Sequence, residues 1–198
     1  MKQLFFSAFA GLIALASVHA AEVGAAAPAF SAKDANGKEV SLASLKGKVV
    51  VLEWNNFGCP FVVKHYGSGN MQKLQETYTG KGVVWLTVNS ANESNGTYLA
   101  PAAALEATAK NGWKGSHYLI DSTGTVGKAY DAKTTPHMFV INKEGVLVYD
   151  GAIDSKPTAK AEDITSSENY VAKALDAILD GKPVATAKTQ PYGCGVKY

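Results

Sequence analysis

Apolar residues fall into short runs separated by Gly, Asn and Asp clusters, and their spacing changes along the chain. Residues 49–52 form an unbroken apolar run, continued by Glu53 and Trp54, and the segment 49–54 reads as a buried strand. Residues 83–88 and 117–120 read as two more strands. Residues 138–141 and 146–149 form a further pair, joined by the turn sequence Asn142-Lys-Glu-Gly145. Between the strands, helical segments are expected over 60–78, 101–110 and 168–179, each stopping at nearby glycines, with a short helix ending at Tyr130. Asp34-Ala-Asn-Gly-Lys38 predicts a hairpin turn between two short strands, and residues 41–45 one helical turn. Residues 21–28 are expected to be extended or loose, 155–166 an inserted polar loop, and 185–198 irregular.

The order is βαβαβα, then a hairpin, then a helix. The first part demands parallel strands with crossover helices, and the second adds antiparallel edge strands. The expected class is therefore α/β, with a mixed central sheet flanked by helices and an N-terminal hairpin. No internal repeat is present.

Composition narrows the setting. Residues 1–20 hold one charge, Lys2, then an apolar stretch ending in Val18-His19-Ala20, which reads as a signal peptide cleaved near Ala20. The expected division is a signal peptide over 1–20, a domain over 21–184 and a cysteine-containing tail over 185–198. The product would be periplasmic or secreted, with no integral membrane span. The precursor carries a formal charge of +2, and every basic residue is a lysine. Without Lys2 the balance is 18 lysines against 17 acids. With no basic patch and no aromatic–basic interleaving, nucleic acid is not an expected partner.

Cys59 and Cys194 are the only cysteines. Cys59 stands where a strand turns into a helix, with Pro60 at the first helical position. The unpaired N–H groups and the dipole of a helix start favour a thiolate there. In an oxidising compartment the pair is either a staple, worth about 5 kcal/mol on chain entropy, or a redox couple. The position of Cys59 favours the couple, with Cys194 between two glycines as its resolving partner.

This order, with a cysteine after the first central strand, resembles the thioredoxin fold. Cys59-Pro60-Phe61-Val62 looks like a CxxC motif whose second cysteine has become Val62. Thr134-Thr135-Pro136-His137 before a strand is similar to the superfamily's cis-proline loop, which faces the active cysteine. Glu53, six residues before Cys59, stands where thioredoxins carry a buried acid. The two hairpins resemble the redoxin branch, and the nearest group is the peroxiredoxin-like one of the alkyl hydroperoxide reductase/thiol-specific antioxidant family. The resemblance covers roughly 23–179. It departs in placing Asn56 where peroxiredoxins have threonine and Leu52 where they have proline. It also departs in lacking the arginine that holds peroxide; Lys64 has no planar fork to replace it.

The resemblance implies a thiol-dependent oxidoreductase, peroxidase or thiol–disulfide in type, that needs no bound cofactor. Its substrate would be a peroxide or a disulfide, its reductant an external thiol. Cys59 and Cys194 are the expected catalytic pair. Glu53 either shuttles protons from a buried position or reaches solvent at the strand end. Beside Pro136, His137 is expected to face Cys59 and tune it; otherwise it and His65 are ordinary structural histidines. Thr135, Pro136, Asn56 and Pro60 are the candidate substrate contacts; for Asn55 and Asn56 the alternative is turn geometry. Copper or zinc ligation by the cysteines and histidines has no supporting spacing, so no metal site is expected. The competing reading is a non-enzymatic binding or metal-handling module with Cys59–Cys194 as a structural disulfide.

Overall fold

The computed structural model describes residues 21–198; the signal-peptide expectation lies outside them. Strands β1 (Ser31–Lys33) and β2 (Glu39–Ser41) form the N-terminal hairpin, followed by a 3-10 turn at Leu42–Leu45. Then come β3 (Val50–Trp54), α1 (Pro60–Gly67), α2 (Asn70–Gly80), β4 (Val84–Asn89), α3 (Pro101–Lys110), β5 (His117–Ile120) and α4 (Thr125–Ala129). The chain continues through β6 (Thr134–Thr135), β7 (His137–Ile141), β8 (Leu147–Gly151), a 3-10 segment at Ala161–Ser166, α5 (Tyr170–Leu179) and β9 (Cys194–Gly195). Five strands form the central sheet in the order β5-β4-β3-β7-β8. β3 runs parallel to β4 and antiparallel to β7. This is the expected mixed sheet.

All five residues of β3 are buried, because it is the middle strand and both faces are covered. Successive side chains point to opposite faces, and the two cores follow that parity. Val51, Trp85, Met138, Val140 and Tyr149 pack against α1, α2 and α5. Val50, Leu52, Trp54, Phe139 and Ile141 pack on the other face, with Phe30, Val40 and the α4 region.

Three expectations are corrected. The helix expected over 60–78 is two helices, broken at Ser68 and Gly69. Gly69 takes φ +76°, where glycine pays no Cβ penalty, and caps α2. Ser68 Oγ donates to the carbonyl of Lys64 at 2.7 Å, ending α1. Residues 21–28 are not loose but tied down along an extended path: Gly24 N–H donates to Leu147 O (2.8 Å), Leu147 N–H to Ala25 O (3.0 Å) and Ala27 N–H to Gly145 O (2.9 Å). Nor is the tail irregular throughout, because β9 pairs antiparallel with β6. Before β9, the Thr189 side chain accepts from Ala152 N–H at 2.9 Å. After it, the Tyr198 hydroxyl donates to Ala132 O at 2.7 Å.

Candidate active site

Cys59 is the N-cap of α1, with an extended backbone and Pro60 as the first helical residue. The turn before it is built by asparagine: Asn56 Oδ1 accepts from Gly58 N–H (2.9 Å), and Cys59 N–H donates to Asn56 O (2.9 Å). Asn56 thus shapes the turn and Pro60 starts the helix on an exposed face. The thiol points inward. Cys59 Sγ lies 3.0 Å from the carbonyl oxygen of Thr135 and 2.7 Å from Cys194 Sγ. The two cysteines are unbonded, and Cys59 is only 1% exposed.

Cys194 reaches this place by strand pairing. In the β6–β9 ladder Thr135 stands opposite Cys194 and Thr134 opposite Gly195. Val196 N–H donates to Lys133 O at 3.0 Å. The Thr135–Pro136 peptide bond is cis, as expected, and the loop places the Thr135 carbonyl on the cysteine. Thr135 and Pro136 are therefore at the site.

The surroundings separate the two thiols. Burial pushes Cys59 up, but hydrogen bonds from the Cys194 thiol and the Thr135 side chain, and from the backbone N–H groups of Cys194 and Val62, outweigh it and leave the thiol below its ordinary pKa. Cys194 is pushed up to about 11, by burial first and then by the hydrogen bond it gives Cys59 and the negative charge there. A single negative charge on the pair therefore rests on Cys59, with Cys194 as a neutral donor.

Glu53 is fully buried. Its Oε1 accepts from Asn55 Nδ2 (3.0 Å) and the Tyr66 hydroxyl (2.9 Å). Its Oε2 accepts from Gln75 Nε2 (3.0 Å), Trp85 Nε1 (2.8 Å) and the Thr87 hydroxyl (3.3 Å). Burial raises its pKa, and the hydrogen bonds offset part of that rise. The strand-end alternative, with the carboxylate in solvent, is thereby removed. Cys59 is not among its hydrogen-bond partners. Asn55 serves this cage through its NH₂ group, while its Oδ1 is buried without a partner.

His137 is not brought to Cys59. Its Nε2 lies 2.8 Å from Asp150 Oδ1, and its Nδ1 accepts from Lys133 N–H at 3.1 Å. The reason is register. His137 is the cross-strand partner of Trp54, so it shares the Trp54 face and stacks near Phe139, with centroids 4.3 Å apart. Glu53 pairs with Met138 on the opposite face.

Lys64 is also elsewhere. Its ammonium is buried against Asp154 Oδ2 (3.0 Å) and Lys156 O (2.8 Å). The same cluster holds His65, whose pKa is lowered to about 4 by burial despite the nearby Asp154 charge. Tyr192, two residues before Cys194, donates its hydroxyl to Asp154 Oδ1, and its ring packs edge-on against Phe61 at 5.8 Å. Asp154 stands in no motif that the sequence marks; Tyr192 lies in the glycine-flanked cysteine segment, and only the return of the tail brings it to Asp154 and α1. Among the described residues no group of three or more His, Cys, Asp or Glu side chains is arranged to hold a metal ion. No helix there is long and apolar enough to cross a membrane.

A cysteine capping the helix after the central strand, opposite a cis proline, defines a thioredoxin-like protein. The thioredoxin domain of a thiol-disulfide oxidoreductase from Bacteroides vulgatus shares the fold, with a TM-score of 0.53 at 20% identity over 73% of this chain and 96% of that one. The chain belongs to the Redoxin family, which matches residues 22–168. Similarity is greater to an uncharacterised conserved protein from Geobacillus kaustophilus, with a TM-score of 0.75, 29% identity and coverage of 89% of this chain and 92% of that one. Thiol-disulfide oxidoreductase ResA of Bacillus subtilis is 28% identical over 132 residues, 63% of this chain. The match spans 64% of that relative's length.

Proposed function

We propose that this is an exported thiol–disulfide oxidoreductase in which Cys59 is the nucleophile and Cys194 the resolving cysteine. The observation that carries the reading is the 2.7 Å approach of two sulfurs whose pKa values are driven apart. Membership of the Redoxin family and the likeness to ResA support it. The Cys59 thiolate attacks one sulfur of a substrate disulfide; that S–S bond breaks and the first substrate thiolate leaves. Cys194 then gives up its proton and attacks Cys59 Sγ, forming Cys59–Cys194 and releasing the second substrate thiolate. The substrate gains two electrons, the pair loses two, and an external thiol restores the pair. Glu53, buried with a raised pKa, is the proton store nearest in kind to this task.

A disulfide is favoured over a peroxide as substrate. Peroxide reduction benefits from a cation at the thiolate, yet Lys64 is committed to Asp154 and the chain has no arginine. Export rests on the sequence of residues 1–20.

The test is to react the reduced protein with a model disulfide and, separately, with hydrogen peroxide, then map cysteine linkages by mass spectrometry. Faster reaction with the disulfide, ending in a Cys59–Cys194 linked peptide pair, is expected. Inertness towards the disulfide sinks the reading. Faster peroxide turnover moves the protein to the peroxidases.

A further inference from the structure

β9 does more than deliver a sulfur. It occupies the edge of β6, the two residues before the cis proline, and while it sits there Cys59 is only 1% exposed. No external disulfide can reach the nucleophile until the tail leaves. The pose of the tail is that of a bound strand: it lies antiparallel, Cys194 faces Thr135, the Val196 N–H is on Lys133 O, and the cysteine sulfur touches Cys59.

The fit at Gly193 is close. A Cβ there would stand 2.7 Å from the carbonyl carbon of Thr135 and nearer still to its oxygen, and its φ of +139° suits only glycine. Only a Gly-Cys step enters this edge without moving the backbone. The tail is held on either side of that step by two tyrosine hydroxyls, Tyr192 on Asp154 and Tyr198 on Ala132 O.

We propose that the tail is a displaceable internal substrate strand, and that the external substrate is a polypeptide disulfide whose Gly-Cys step takes the place of Gly193-Cys194 on β6. This rests on the thiol–disulfide reading above. The two strands cannot occupy one edge together, so the steps are ordered. The tail leaves and the substrate strand docks. Cys59 attacks the substrate cysteine and expels its partner thiolate. The returning tail then displaces the substrate strand as Cys194 attacks Cys59 Sγ. Resolution and product departure become one event, and the tyrosine anchors set how often the edge is open.

The experiment uses the reduced full-length protein and three disulfides of 2-nitro-5-thiobenzoate. The first is with the peptide Tyr-Gly-Cys-Gly-Val, the second with the same peptide carrying Ala before the cysteine, and the third with 2-mercaptoethanol. Release of the coloured thiolate reports attack. The Gly-Cys peptide is expected to react at least ten times faster than both other probes. Tyr192→Phe loses the anchoring hydrogen bond to Asp154 and the longer contacts with Lys64 and His65, and should raise the rate with that peptide roughly fivefold. Tyr198→Phe, which removes only the bond to Ala132 O, should move it in the same direction. Equal rates for the Gly and Ala peptides, with Cys59 still reactive, overturn the proposal and leave the oxidoreductase reading standing. So do anchor variants, both folded by circular dichroism, that change nothing. Inertness towards all three probes overturns both.

Discussion

Replacing Gly193 with alanine perturbs the site at one methyl group. That methyl would stand 2.7 Å from the Thr135 carbonyl carbon, whereas carbon–carbon contacts prefer about 3.5–4.0 Å. The obstacle is backbone at the cis-proline loop, not the end of a flexible side chain. β9 must therefore retreat by about 1 Å or alanine must abandon the +139° backbone angle, whose cost is about 1–3 kcal/mol. Either way the β6–β9 bonding is weakened, including the 3.0 Å bond from Val196 N–H to Lys133 O, for about another 1 kcal/mol. The docked tail loses roughly 2–4 kcal/mol in all, and Cys194 is presented to Cys59 correspondingly less often. On the two-electron scale, where 30 mV is about 1.4 kcal/mol, the Cys59–Cys194 disulfide should become about 40–90 mV more oxidising. The assay equilibrates wild type and Gly193→Ala in dithiothreitol or glutathione buffers, quenches with acid and counts alkylated thiols by mass. Gly195→Ala is the control: a Cβ there meets nothing nearer than Lys133 O at 4.0 Å, so its potential should stay at the wild-type value. A shift under about 10 mV for Gly193→Ala would show that the strand pairing does not hold Cys194 in place, and the reasoning about the tail would fail with it.

Glu53→Leu strands five buried donors and should destabilise the protein by at least about 3 kcal/mol in urea unfolding. Glu53→Gln should cost less, because the Tyr66 hydroxyl and the Asn55 amide can turn to accept; a Leu variant within 1 kcal/mol of wild type would contradict the cage. Thiolate absorbance near 240 nm should titrate in two steps, one below the ordinary thiol range for Cys59 and one near pH 11 for Cys194; a single two-thiol step refutes the asymmetry. His65 is neutral in the fold down to about pH 4 but protonates near 6.5 when unfolded. The unfolded state therefore binds more protons in that window, and His65 contributes stability above pH 6.5 that is lost as pH falls towards 4. The loss is at most about 3 kcal/mol; Asp154, whose carboxyl is held below its ordinary 3.8, adds a loss in the same direction only at still lower pH. Comparing urea midpoints of wild type and His65→Gln at pH 7 and pH 5 checks this; equal pH dependence in both removes His65 from the account.

The five strands of the central sheet, the crossover helices and both hairpins were legible from apolar runs and turn residues, because burial on a sheet and the demands of tight turns are local properties of a sequence; the short β6 and β9 were not. So was the position of Cys59, since a strand, a turn and a proline announce a helix start. Gly69 was legible in principle as a break, but a helical apolar pattern on both sides of it masked the interruption. His137 shows where local reasoning stops. Its nearness to Pro136 suggested the cysteine, but whether it faced Cys59 depended on pairing with Trp54, and register across a sheet belongs to two strands at once. The donors around Glu53 come from α1, α2, β4 and the turn after β3, and no spacing in the chain announces that they converge. The same holds for the tail. Two glycines and a cysteine permitted its return, but the meeting of Cys194 with Cys59, 135 residues apart, was decided by an unpaired strand edge at β6 and a buried carboxylate at Asp154, which exist only once the domain has closed.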